Sequence, residues 1–197
     1  QPDRCFRLSR SRNLGACKVT GRWLIFIDGD CVMPPDFIQA QLLLAEASHL
    51  VFGSRKLLSE DQTEKLLRKQ PGIDHVLPLF TGRKFWKLPL GFLRKFPRRS
   101  WDKARGFHLA IDACVFENLC GFDEAFQSWG LEDSDFIVRA MNSGVILKDG
   151  RYKTSLLHLH HIEGKNIDIL SNKQLFGATL SGKLMLPLKS LYLSRRS

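Results

Sequence analysis

Three short stretches of this 197-residue sequence hold the residue types that could do chemistry. The first is Asp28-Gly29-Asp30, which directly follows the apolar run Trp23-Leu24-Ile25-Phe26-Ile27. Such a run reads as a buried strand, and carboxylates at the end of a strand stand where open α/β sheets place their ligands. Two carboxylates at i and i+2 suit Mg²⁺ or Mn²⁺ bridging protein oxygens and substrate phosphates. The competing reading is a plain polar turn, since short acidic turns often follow strands. The second stretch is Trp129-Gly130-Leu131-Glu132-Asp133-Ser134-Asp135. Its three carboxylates fall at a helix start, where the dipole favours negative charge. They are either an ordinary acidic first turn or a working group. In the second case Asp133 takes a proton from an acceptor hydroxyl while Glu132 holds that acceptor. Trp129 offers either a face for a sugar ring or a core aromatic. The third stretch is His158-Leu159-His160-His161. Strand alternation sends His158 and His160 to one face and His161 to the other, and one of them could complete a metal shell. A three-histidine zinc site lacks an acid or cysteine at ligand spacing.

The elements that must position these groups form an α/β pattern. A short helix is expected over residues 14–19, then the strand 23–27. Pro34-Pro35-Asp36 opens a helix over 37–47, and a second strand follows over 49–54, so a strand–helix–strand unit appears early. Residues 55–105 read as an insertion or lid rather than as sheet. Strand texture resumes at 107–115, a short helix at 114–119, and a helix over 131–142 that Gly144 ends. Strands are expected at 145–147 and 155–159. Residues 1–165 are taken as the catalytic domain, and 166–197 as a basic amphipathic tail.

Composition narrows the partners. Hydrophobic residues are 44% and charged residues 25%, as in ordinary globular domains, but the formal net charge is +10. That excess favours an anionic partner: nucleic acid, an acidic membrane surface or a phosphorylated substrate. Five cysteines without CxxC pairing argue against a disulfide framework and for a reducing, cytoplasmic setting. No apolar stretch is long enough to span a bilayer. Between Arg83 and Arg105 nine basic residues face one acid, Asp102, and the stretch 79–107 interleaves them with aromatic rings. That mixture suits a segment lying on an anionic membrane surface, such as the inner face of a membrane. It also suits a lid with buried rings and solvated charges. No stacking platform for nucleic acid is recognisable.

Taken in order, these residues resemble the family 2 glycosyltransferases with the GT-A fold. Arg12-Asn13-Leu14-Gly15 looks like the family's Arg-Asn-x-Gly segment, and Gly21 through Asp30 like its apolar run into D-x-D. Gly121-Phe122-Asp123-Glu124-Ala125-Phe126 followed by Trp129 through Asp135 is similar to the galactosyltransferase-like subset, and 158–161 to a late H-L-x-H. The resemblance covers roughly residues 8–166 and implies a mixed, mostly parallel sheet flanked by helices. It omits the family's usual beginning, including the acid that reads uracil. It implies a UDP-sugar donor, a saccharide or lipid-linked acceptor, and Mn²⁺ or Mg²⁺. By the same resemblance Asp30 binds the metal, Asp28 meets the ribose or the metal indirectly, and Arg12 faces the donor nucleotide or its diphosphate. Asp133 is then the base of an inverting transfer, Glu132 lies on the acceptor, and His158 or His161 is the last metal ligand. The rival enzyme is a haloacid-dehalogenase-type phosphatase, in which Asp28 is the nucleophile and Asp30 the acid/base. A non-catalytic sugar-nucleotide or membrane-binding module is a third reading.

Overall fold

The computed structural model describes residues 7–68, 101–127, 130–151, 153–162 and 170–193. The basic aromatic stretch up to residue 100, including Arg98 and Arg99, lies outside them, as does Trp129. Helix α1 (Leu8–Ala16) starts earlier than the sequence suggests and leads to strand β1 (Trp23–Ile27). After Asp28-Gly29-Asp30 come the two-residue strand β2 (Cys31–Val32), α2 (Phe37–Leu44) and β3 (His49–Phe52). Strand β4 (Arg55–Leu57) and α3 (Glu60–Arg68) follow, so the expected insertion does not begin at residue 55. Next are β5 (His108–Asp112), α4 (Ala113–Asn118), α5 (Glu132–Asn142), β6 (Ile146–Asp149), β7 (Leu156–His158) and α6 (Leu170–Leu180). Gly144, at φ 91°, ends the α5 turn as its lack of a side chain permits.

The architecture is mixed α/β, with one sheet ordered β1-β5-β3-β6 and a smaller one ordered β2-β7-β4. Parallel pairing does not predominate among the described strands. β5 runs antiparallel to both β1 and β3, β2 is antiparallel to β7, and only β3 with β6 and β4 with β7 are parallel. The reason is that β5 inserts between two strands that precede it, reversing the direction at the sheet centre. Among the described residues no helix is long and apolar enough to cross a membrane.

Below the larger sheet the core is aromatic. The Phe122 and Phe136 rings lie 4.6 Å apart, and Phe116 packs against both and against Tyr192. Fully burying such a ring stabilises by about 2 kcal/mol on area grounds. Tyr192 belongs to the segment expected as a tail, which is instead built into the domain. Phe176 of α6 packs with Phe126 and Val138. The backbone N–H groups of Leu188 and Lys189 donate to the Asp123 carboxylate, and that of Leu191 to Glu124.

One buried ion pair fixes α5. Arg139 is fully buried and donates to Asp135 at 2.8 Å and to the carbonyls of Leu119 and Gly121. Thr179 donates to the other oxygen of Asp135 at 2.6 Å. Burial pushes the Asp135 carboxyl up, with Arg139 opposing. A buried charge is tolerable only with partners of this quality.

His108 is expected to make the stability of the fold depend on pH. Its ring is buried against Phe37 at 5.1 Å, and the Gln41 side-chain amide hydrogen-bonds to its Nε2. Burial pushes it from 6.5 down to about 4. A lowered value means that its contribution is present above pH 6.5 and is lost as pH falls toward 4. The loss is on the order of 3 kcal/mol. We therefore expect melting temperature to drop across that window, and His108→Phe to flatten the drop. An unchanged slope in the variant would place the sensitive group elsewhere.

Candidate active site

The site forms where the ends of β1 and β7, the start of α5 and the middle of α1 meet. Leaving β1, the chain makes a short turn in which the Asp28 N–H donates to the Phe107 carbonyl and Cys31 N–H to the Asp28 carbonyl. β2 then pairs with β7, setting Cys31 opposite His158, and Leu159 N–H donates to the Asp30 carbonyl. This pairing brings the third motif onto the first.

Asp30 Oδ2 lies 3.2 Å from His158 Nε2 and 3.0 Å from His161 Nε2. Among the described residues Asp30, His158 and His161 are grouped closely enough to hold one ion, with ligand atoms within 4.8 Å of each other. One carboxylate and two imidazoles fit a divalent transition ion such as Mn²⁺ better than Mg²⁺, which prefers oxygen throughout. Strand alternation misplaced His161. β7 ends at His158, so the chain is free to fold back and bring His161 to the same carboxylate. His160 is not in this group, and its backbone N–H donates to the Thr63 hydroxyl. Asp28 is not in the group. Its carboxylate faces Arg12 at 3.4 Å and Arg55 at 3.5 Å.

Beside Asp30 the Cys31 thiol is pushed up to about 12, first by burial and then by the Asp30 and Asp28 charges. It therefore remains a neutral thiol, with Sγ 3.9 Å from Asp30 Oδ1.

Arg12 joins the first and second motifs. One of its nitrogens donates to Glu132 at 3.2 Å; the other donates to Asp28 at 3.4 Å and to the Gly106 carbonyl at 3.2 Å. The guanidinium is only 10% exposed and lies 5.2 Å above the Phe122 ring. A single side chain thus bridges the Asp-Gly-Asp turn and the α5 N-terminus, so the two acidic motifs lie beside each other. Asn13, the next residue, faces the interior. It exchanges hydrogen bonds with the Phe122 backbone and donates to Glu124 at 2.9 Å. The Gly121–Glu124 turn therefore holds α1 in the rotation that presents Arg12.

Glu132 and Asp133 differ in setting. Glu132 is 6% exposed; one oxygen accepts from Arg12 and the other from the Gly130 N–H at 3.1 Å. Burial pushes its carboxyl up, the Asp133 charge adds to this, and Arg12 opposes both. Both of its oxygens are thus engaged within the protein. Asp133 accepts from the Gly106 N–H at 2.6 Å through one oxygen and from the Ser134 N–H at 2.7 Å through the other. A Cβ on Gly106 would stand 2.7 Å from the Asp133 Cβ and 3.0 Å from Arg12, so only glycine allows this approach. Leu131, at φ 73°, takes a left-handed conformation just before the helix. Such a position costs on the order of 1 kcal/mol and is typical of functional turns.

Sequence reading missed two contributors. Arg55 was assigned to an insertion, yet β4 delivers it to Asp28. Gly106 and Phe107 act through their backbone groups, and the Phe107 ring also lies 4.6 Å beneath the Arg55 guanidinium. Neither had a signal readable from residue type.

Comparison with known proteins places this cleft in context. Residues 3–111, just over half of the chain, match the model "Glycosyl transferase family 2". Residues 91–163 match "N-terminal domain of galactosyltransferase". The chain is also similar to the O-antigen biosynthesis protein RfbC of Myxococcus xanthus, 29% identical over 136 residues. That match covers 65% of this chain and about a tenth of the relative's length. The first match spans Arg12 and the Asp-Gly-Asp turn, the second spans Glu132, Asp133 and the histidines, and the Arg12 bridge ties the two regions together. The phosphatase reading of Asp28 is thereby set aside: the chain belongs to glycosyl transferase family 2.

Proposed function

We propose that this chain moves a sugar from a UDP-sugar donor to a hydroxyl of a glycan or glycolipid acceptor, with inversion and with a divalent ion. The observation that carries this reading is the Arg12 guanidinium between Asp28 and Glu132. A diphosphate at the first motif and a hydroxyl at the second can then meet across a single cleft. Asp30, His158 and His161 would hold the ion, Mn²⁺ by their donor chemistry, and when bound it supplies positive charge beside the departing diphosphate.

Asp133 accepts the proton of the attacking hydroxyl. As the new bond from the sugar's anomeric carbon to the acceptor oxygen forms, the bond to the UDP oxygen breaks through an oxocarbenium-like state. The Gly106 and Ser134 N–H groups keep the Asp133 carboxylate in one orientation and leave lone pairs free for that proton. Glu132 acts through Arg12, keeping the α5 start registered on the Asp28 turn. Trp129, one residue before Gly130, is assigned the sugar ring. A polysaccharide acceptor agrees with the name of the Myxococcus relative. Of the stretch 79–107, residues 101–107 are built into the domain, with Ala104 buried and Trp101 against Phe176; a cytoplasmic site beside an anionic membrane surface would bring lipid-linked acceptors within reach.

The test is UDP release by the purified chain with Mn²⁺ across a panel of UDP sugars, with and without lipid-linked and free glycans. Release that requires both ion and acceptor is expected. UDP binding with no release from any donor–acceptor pair would reduce the chain to a binding module.

A further inference from the structure

We propose that Arg55 is the cationic side chain that receives the donor's diphosphate, beside the ion held by Asp30, His158 and His161. The inference rests on the nucleotide-sugar reading above and names a residue for it that neither motif contains.

Two arginines reach Asp28, and their surroundings differ in the way that matters. Arg12 is 10% exposed and already serves three acceptors: Glu132, Asp28 and the Gly106 carbonyl. It is an internal strut, and moving it onto a phosphate would uncover the buried Glu132 carboxylate. Arg55 is 31% exposed and, among the described residues, pairs with Asp28 Oδ2 alone, at a long 3.5 Å. Its guanidinium lies 4.6 Å over the Phe107 ring, a contact made through the face of the fork and not through the N–H edge that takes oxygen acceptors. A planar fork of that kind suits bidentate phosphate recognition.

Sheet register supplies the second observation. In the β4–β7 pair Leu57 stands opposite His158, and in the β2–β7 pair Cys31 stands opposite His158. Directly paired residues share a face, and so do residues two apart on a strand. Arg55 therefore rises from the same face of the small sheet as His158, two residues along the neighbouring strand. The backbone offset is roughly 8 Å from strand rise and spacing. A diphosphate seated between the ion ligands and Arg55 has a cation at each end, with Asp28 holding the guanidinium in place until it arrives.

The experiment is calorimetric titration of the whole chain with UDP and with UMP in the presence of Mn²⁺, for wild type, Arg55→Ala and Arg55→Lys. Wild type should bind UDP more tightly than UMP. Arg55→Ala should lose roughly 10- to 100-fold in UDP affinity and much less in UMP affinity, collapsing the ratio. Arg55→Lys should recover part of the loss, because the charge returns without the fork. A merely structural role would weaken both nucleotides alike and lower the melting temperature, so that pattern overturns the proposal. An unchanged UDP-to-UMP ratio in Arg55→Ala overturns it too. If wild type binds neither nucleotide with Mn²⁺, the nucleotide-sugar reading itself fails, an outcome distinct from either of these.

Discussion

Replacing Asp133 by Asn is expected to lower the transfer rate by ~10²- to 10⁴-fold, the usual contribution of a positioned general base, while leaving Mn²⁺-dependent UDP binding near the wild-type value. The split follows from where Asp133 sits. Its carboxylate is on the α5 side of the cleft, held by the Gly106 and Ser134 N–H groups, and makes no contact with Asp30 or the histidines. The substitution has a side effect that a flat comparison would miss. Both carboxylate oxygens accept from backbone N–H groups, so the amide nitrogen of Asn must face one donor with another. That mismatch costs about 1–3 kcal/mol. The rate should be read well below the variant's own melting temperature, with UDP affinity as the check that the cleft survives. Normal turnover in Asp133→Asn would remove Asp133 from the mechanism. Glu132, the other carboxylate at the α5 start, would be the next to test.

Asp30→Ala should act on the opposite half of the reaction, abolishing the Mn²⁺-dependent part of UDP binding and, with it, transfer. The Asp30 carboxylate stands within 3.2 Å of both imidazoles and is the one anionic member of the ion-binding group. Its removal leaves two neutral donors, too few for a hard or borderline divalent ion. The expected signature is UDP affinity that no longer responds to Mn²⁺, measured by titration with and without chelator. His161→Ala should give a partial version of the same result, since His161 is the exposed member of the group. Full retention of the Mn²⁺ response in Asp30→Ala would mean that the ion is held by other residues.

These two results would divide the cleft into a donor half and an acceptor half. Arg12 belongs to both, because it pairs with Asp28 and Glu132 at once. Its rotation is fixed by Asn13 clasping the Phe122 and Glu124 turn, which is tied in turn to Arg139 and to the C-terminal segment. A polar network with every member paired is rigid in a way that isolated surface charges are not. The Gly121–Glu124 turn therefore fixes Arg12 from behind, through Asn13 and the Phe122 ring.

The sequence alone was enough to place the candidate groups in order along the chain. An unbroken apolar run ending at two carboxylates can be recognised as a strand without tertiary context, but the expected full burial is not met: β1 is an edge strand of the described sheet and only Leu24 in it is buried. The helix over Glu132–Asn142 and its stop at Gly144 were equally local, set by periodicity and backbone freedom. Tertiary structure decided which charges face which. Residue type says that Arg12 is cationic, but only the packing of α1 on the Gly121–Glu124 turn aims it at Asp28 and Glu132. Strand alternation could not foresee that β7 stops at His158, because strand length depends on its partners β2 and β4. Arg55 reads as part of a basic insertion, since a three-residue strand has too little pattern to betray itself; parallel pairing with β7 brings it near the Asp30, His158 and His161 group. Nor could residue type reveal that the C-terminal segment is core, because Tyr192 and Phe176 become buried only against elements far away in sequence.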